Sequence, residues 1–175
     1  MSNPQNHVFI LMGVSGSGKS AVASAVAHEA DAAMLDGDYL HPRANINKMA
    51  AGHALDDNDR APWLAALNDA IFAMQRTNPV SLLVCSALKK SYRDRLREGN
   101  RNLHFLYLKG DKTVIEEPLK QRKGHFFKPQ MLVSQFATLE EPGEQEPDVQ
   151  AIDINQPLDG VVADTLACIN RITAR

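Results

Sequence analysis

A chain of 175 residues is long enough for one well-filled core and short for two. Its 44% apolar and 23% charged residues are those of an ordinary globular fold, which excludes wholesale disorder. A formal net charge of -2 leaves no basic excess to follow a nucleic-acid backbone and no polybasic tail for a membrane surface.

Met1 to His7 is polar, and the first apolar run, Val8 to Met12, is too short to span a bilayer or to form a signal core. A cytoplasmic protein is expected, and two distant cysteines in apolar runs, Cys85 and Cys168, read as buried thiols of a reducing compartment. Val8 to Met12 predicts a buried strand, followed by a glycine-rich turn and a helix over Ser20 to Ala30. Ala32 to Leu35 predicts a second strand that ends at Asp36. A polar, histidine-bearing stretch, Gly37 to Arg60, follows, and then a helix over Ala61 to Thr77 with Leu64, Leu67, Ile71 and Met74 on one face. Val80 to Cys85, Leu103 to Leu108 and Val149 to Ile154 predict three more strands. Asp111 is placed to cap a helix running to about Arg122, Pro129 to Leu139 predicts another, and Leu158 to Ile172 carries a last amphipathic stripe. Strands with near-continuous apolar runs, alternating with helices, imply an α/β fold with a parallel sheet.

Gly13-Val14-Ser15-Gly16-Ser17-Gly18-Lys19-Ser20 matches G-x-x-x-x-G-K-[ST] at every fixed position, between a predicted strand and a predicted helix. Gly13, Gly16, Ser17 and Gly18 let the backbone N–H groups turn inward around phosphate, and the helix opening through Ala21 aims its positive end at the same anion. Lys19 reaches the β- and γ-phosphates, and the Ser20 hydroxyl is a ligand for Mg2+. The guanine-reading N-K-x-D is missing, because Asn47-Lys48 runs into Met49-Ala50. The third strand ends in Cys85-Ser86 instead of the acid usual in motor and transporter ATPases, whereas the second ends in Asp36-Gly37-Asp38. Two carboxylates at a strand's carboxyl end suit phosphoryl transfer to an alcohol, one oriented toward the hydroxyl and one toward the metal. No histidine or cysteine pair has zinc-like spacing.

Beyond the phosphate loop, the chain resembles the gluconokinases, relatives of shikimate and adenylate kinases. The likeness lies in Leu35 to Pro42, Asn45 to Met49, Asp57 to Leu64, Cys85 to Arg93, and Gly124 to Phe127 continuing to Ser134-Gln135-Phe136. It implies a three-layer P-loop kinase in one domain, with a five-stranded parallel sheet of order 2-3-1-4-5 and helices on both faces. It further implies a substrate-binding segment at about 37–60, a mobile lid at about 122–135, and a homodimer. The reaction implied is transfer of the γ-phosphoryl group of ATP to D-gluconate, giving 6-phospho-D-gluconate. In that pattern Asp36 supports Mg2+, Asp38 contacts the acceptor hydroxyl as base, Arg122 pairs with ATP phosphates, and Gln156-Pro157 passes near the adenine. The gluconate carboxylate calls for a cation, for which Arg60 and Arg93 are the candidates, with Lys89 and His125 behind them; Arg93 reads equally well as part of a solvated helix face. His41 reads as a hydrogen-bond partner of the polyol, and Trp63 more as packing than as a sugar platform. The chain departs from the family at Pro118, where relatives often carry arginine, and at His53-Ala54-Leu55, where they tend to show a proline. A kinase for another small hydroxy acid such as shikimate, or a nucleotide-binding switch without an acceptor, are the alternatives.

Overall fold

The computed structural model describes residues 5–115 and 129–174, with side chains of the second stretch from 132 onward. Arg122, Pro118, His125 and the 123–128 stretch of the expected lid lie outside the described residues.

Five parallel strands form one sheet in the order β2-β3-β1-β4-β5. They are β1 (His7–Met12), β2 (Ala33–Asp36), β3 (Val80–Val84), β4 (Leu103–Lys109) and β5 (Val149–Asp153). The central strand β1 pairs with β3 and β4 on either side, Ile10 lying opposite Leu83 and Phe105. It is buried from end to end because both faces are covered. Alternate residues feed two separate cores. Val8, Ile10 and Met12 join Leu64, Leu67 and Ile71 on one face, while Phe9 and Leu11 join Val22, Val26 and Ile169 on the other. The helices follow as α1 (Lys19–Ala30), α2 (Arg43–Ala50), α3 (Asp57–Met74), α4 (Lys90–Arg97), α5 (Pro129–Thr138) and α6 (Leu158–Thr173). Residues 112–115 are also helical, and the Asp111 carboxylate accepts from the Val114 N–H as the expected cap.

Two predicted boundaries move. The stretch Gly37 to Arg60 is more regular than its polarity suggests: Gly37–Leu40 forms a 3-10 turn and Arg43–Ala50 a short helix. Helix α3 begins at Asp57 instead of Ala61. The Asp56 carboxylate accepts from the Asp59 N–H while Asp59 reaches back to the Asp56 N–H, a capping box that starts the helix five residues ahead of Pro62. Pro62 is thus inside the helix, and Arg60 stands within its first turns.

Two close approaches set the carboxyl end of the sheet. Gly13, at φ 144°, carries the chain out of β1 so tightly that a Cβ there would lie 3.0 Å from the Leu108 carbonyl. Gly37 is pressed onto β3, where a Cβ would come within 2.7 Å of the Val84 carbonyl. Asp36 and Asp38 are thereby brought against the end of β3 and the loop after β1.

Candidate active site

The loop between β1 and α1 curls around its own lysine. Lys19 Nζ donates to the Gly13 and Val14 carbonyls, at 2.8 and 3.0 Å. Burial pulls its pKa down to about 8, and the Asp38 and Asp36 carboxylates offset this only in part. The Ser17 hydroxyl is buried against Gly13 with no hydrogen-bond partner among the described residues. A cradle of inward backbone, a desolvated ammonium and an orphaned hydroxyl is suited to an oxyanion.

A cavity of about 400 Å³ opens in front of this loop, lined by Gly16, Gly18, Lys19, Ser20, Asp38 and Cys85 among others. The metal-ligating hydroxyl and the base named from sequence therefore share one space. Asp36 is oriented by accepting the Asp38 N–H at 3.0 Å. Protein packed around the Asp38 carboxyl raises its pKa, and the Asp36 charge raises it further, against the pull of His41 and Lys19. Cys85, on the floor, is pushed up to about 12 by burial and stays a neutral thiol. Among the described residues no cluster of three or more His, Cys, Asp or Glu could hold a metal by itself. Ser20 with two nearby carboxylates suits Mg2+, which takes few protein ligands and completes its shell with phosphate oxygens and water.

Next to Asp38 lies His41. Its ring stacks on Trp63 with centroids 4.2 Å apart, and Nδ1 lies 3.2 Å from Asn45 Nδ2. Burial lowers its pKa, and the Arg60 cation lowers it further against the opposing pull of Asp38, so the ring is a neutral hydrogen-bond partner near pH 7. Trp63 is a core residue, with Nε1 donating to the Gly37 carbonyl at 2.8 Å. One face of the indole is taken by His41, which makes it a support for the histidine.

Arg60 and Lys89 meet over Tyr92. Arg60 donates to the Tyr92 hydroxyl at 3.1 Å, and both cations lie about 5.5 Å from its ring. Tyr92 in turn donates to Asp57 at 2.7 Å, and Lys89 pairs with the same carboxylate at 3.4 Å, which holds Asp57 below the usual carboxylate range. Sequence reasoning missed Tyr92 and Asp57. The spacing of Lys89 and Tyr92, three residues apart, was the available sign that they share a face.

Arg93 is a correction to both of its readings. It is fully buried: Nε and Nη2 grip Glu146 at 2.7 and 2.8 Å, Nη1 donates to the Ala87 carbonyl and Nη2 also to that of Glu140. It is neither a solvated helix face nor a cation open to a ligand. Instead it fastens the connection from β3 to α4, including Ala87 in its left-handed conformation at φ 48°, to the chain that follows α5.

The residues expected near the adenine, Gln156 and Pro157, also have a different setting. Gln156 Nε2 donates to the Asp153 carbonyl and to Asp164, bracing the turn into α6. A cavity of about 780 Å³ at the ends of β4 and β5 is lined by Gly110, Val114, Phe136, Leu139 and Asn155 among others, and not by Gln156 or Pro157.

A profile described as an AAA domain matches residues 8–141. The chain is 69% identical over 170 residues to the thermoresistant gluconokinase of Escherichia coli, covering 97% of each. It is 46% identical to the thermosensitive gluconokinase of the same organism, covering 95% of this chain and 92% of that one. The crystal structure of a gluconokinase from Sinorhizobium meliloti superposes with a TM-score of 0.85 at 40% identity, over 98% of this chain and 95% of that one.

Proposed function

The chain belongs to the gluconokinase family and is an ATP-dependent kinase of gluconate, and we propose the following division of labour among its residues. The observation that carries it is the single cavity shared by Lys19, Ser20 and Asp38.

The loop from Gly13 to Ala21 cradles the phosphates of ATP, and Lys19 neutralises charge on the β- and γ-phosphates. Ser20 would hold Mg2+, with Asp36 supporting it through water, and the ion would supply positive charge to offset that of the phosphates. Asp38 accepts the proton of the 6-hydroxyl of gluconate as that oxygen attacks phosphorus. A carboxyl with a raised pKa is a better proton acceptor than an ordinary one, provided it is ionised. The neutral His41 ring hydrogen-bonds the polyol. Arg60, with Lys89, takes the gluconate carboxylate, and Tyr92 and Asp57 hold the two cations in place. Arg93 takes no part in this binding. Arg122 and His125 belong to the lid side of the scheme, pairing with ATP phosphates and with gluconate. The base of ATP occupies the larger cavity beside Asn155, and Gln156 braces the turn that follows, ahead of Pro157. The same reading has the chain working as one domain in a homodimer in the cytoplasm; two buried free thiols, Cys85 and Cys168, fit a reducing compartment.

Release of ADP with Mg·ATP and a panel of gluconate, related sugar acids and shikimate, beside a control without acceptor, tests this. Gluconate alone is expected to drive release. Release with shikimate instead would overturn the acceptor assignment, and acceptor-independent release would overturn the kinase chemistry assigned to Asp38.

A further inference from the structure

Gln135 stands where helical spacing calls for an apolar residue. Leu132 and Phe136 of α5, with Leu139 just beyond it, pack on Val14, Leu88 and Ile115, and position 135 falls beside 132 and 136 on that face. A polar side chain survives there because both ends of its carboxamide are engaged. The Ser15 N–H donates to Oε1 at 2.6 Å, and Nε2 donates to the Ser15 hydroxyl at 2.7 Å. A backbone N–H only donates, so the atom facing it is the oxygen, which fixes the carboxamide's orientation. The other end of the same peptide is also held, because the Val14 carbonyl accepts from Lys19 Nζ at 3.0 Å. One peptide unit of the phosphate loop thus lies between the loop lysine and a side chain 120 residues away.

Inward N–H groups of such loops bind phosphate oxygens, and a lysine at this position reaches the β- and γ-phosphates. The Val14–Ser15 peptide, bonded to that ammonium, marks the terminal-phosphate end of the cradle. A carboxamide oxygen on the Ser15 N–H is an uncharged stand-in for a phosphoryl oxygen.

We propose that Gln135 distinguishes ATP from ADP: its oxygen holds the Ser15 N–H until the terminal phosphoryl group arrives, and the carboxamide then turns over and donates Nε2 to that group. This rests on the kinase reading above. The Ser15 hydroxyl makes the reversal possible without moving α5, because it either accepts from Nε2 or donates to Oε1. After transfer, ADP lacks the group that Nε2 holds, the carboxamide returns to the Ser15 N–H, and product leaves a loop that is already satisfied.

The experiment is calorimetric titration of ADP and of a non-hydrolysable ATP analogue, each with Mg2+, into the wild type, Gln135→Met and Gln135→Glu. Methionine suits the apolar face and removes both polar ends. Loss of one hydrogen bond to a charged group lowers affinity for the analogue by about 10-fold to 100-fold in Gln135→Met, with ADP within about threefold. Glutamate keeps the shape and the acceptor but replaces the donor with a charge, so the analogue weakens more than in Gln135→Met while ADP loses less. Equal weakening of both nucleotides in Gln135→Met, as a purely structural role requires, overturns the proposal, and so does an unchanged preference for the analogue in both variants. Failure of the kinase reading shows separately, as wild-type protein that binds the analogue yet releases no ADP with gluconate.

Discussion

Arg60 and Arg93 are both candidates for the gluconate carboxylate in the sequence, and the fold surrounds them in opposite ways. Around Arg93 every partner is protein: a buried carboxylate grips it in two bonds, and two backbone carbonyls take further N–H groups. Arg97 adds a second cation on Glu146 and pairs with Asp148. Among the described residues the partners of Arg60 are a phenol hydroxyl and a ring face, which engage few of the guanidinium's donors. A cation that recognises substrate is one whose charge the fold has not neutralised. Burial without a counter-charge is costly, so such a cation sits at a rim against an aromatic, and a buried one brings its own carboxylate.

Removing a partner from the closed cluster has the largest expected effect. Arg93→Met leaves Glu146 buried with only Arg97 to pair with, and is expected to cost about 3–5 kcal/mol of stability by denaturant titration. Replacing Glu146 with methionine in the same chain is expected to recover part of that loss. The folded fraction of either variant keeps its KM for gluconate. A KM that rose sharply while stability held would place Arg93 in the site and dissolve the contrast.

Asp38→Asn tests the open side. Turnover is expected to fall by about 10²-fold to 10⁴-fold, the range for loss of a general base, with ADP binding retained. The stability change has the opposite sign. Because the fold raises the Asp38 pKa, its neutral form favours the folded state, a contribution complete below the unfolded pKa and lost as pH rises through the folded one. At neutral pH the ionised carboxylate is therefore a strain that asparagine relieves, and Tm is expected to rise. A fall in both activity and Tm would make Asp38 a structural residue.

Arg60→Ala has a smaller effect and goes directly to the contrast. Loss of a charge-assisted contact is expected to raise KM for gluconate by about 10-fold to 100-fold, with KM for ATP unchanged. Stability, read as Tm, should move far less than in Arg93→Met, since Arg60 is only half-buried and meets an uncharged hydroxyl. If Tm dropped as far in both variants, the two arginines would be alike after all.

The difference between these regions also explains what the sequence disclosed. The strands and the phosphate loop were legible because their signals are local: five consecutive apolar residues, or eight residues with four fixed. Asp38 followed from being two residues past a strand end. Arg93 was not legible, because its carboxylate lies 53 residues downstream and only the packed chain brings it near. The start of α3 was misplaced because Pro62 is a conspicuous helix-start residue, whereas the Asp56–Asp59 box that begins the helix looks like any acidic turn. Helix α2 was hidden because half of its eight residues are polar and its large apolar side chains, Ile46 and Met49, stay exposed. Gln135 entered the sequence reading only within the Ser134-Gln135-Phe136 likeness, and its partner Ser15 lies 120 residues away.

Lys19 belongs to neither arginine's pattern and gives the smallest expected signal. Its ammonium is desolvated although the residue is only half-buried, its direct partners are carbonyls, and its pKa falls to about 8 because two nearby carboxylates do not make up for lost water. A bound polyphosphate supplies the missing counter-charge and favours the ammonium, so its pKa must rise on binding. With a free-state pKa of about 8, about half of the lysines are neutral at pH 8, and binding of ADP there takes up about half a proton. At pH 6 the lysine is already charged and contributes no uptake. Titrating ADP in two buffers of different ionisation enthalpy, at both pH values, measures the number directly. Lys19→Arg, charged at both, should lose the difference between pH 8 and pH 6. If the wild type took up no extra proton at pH 8, the loop would already neutralise its lysine, as Glu146 neutralises Arg93, and the cradle would be closed in charge before any nucleotide arrived.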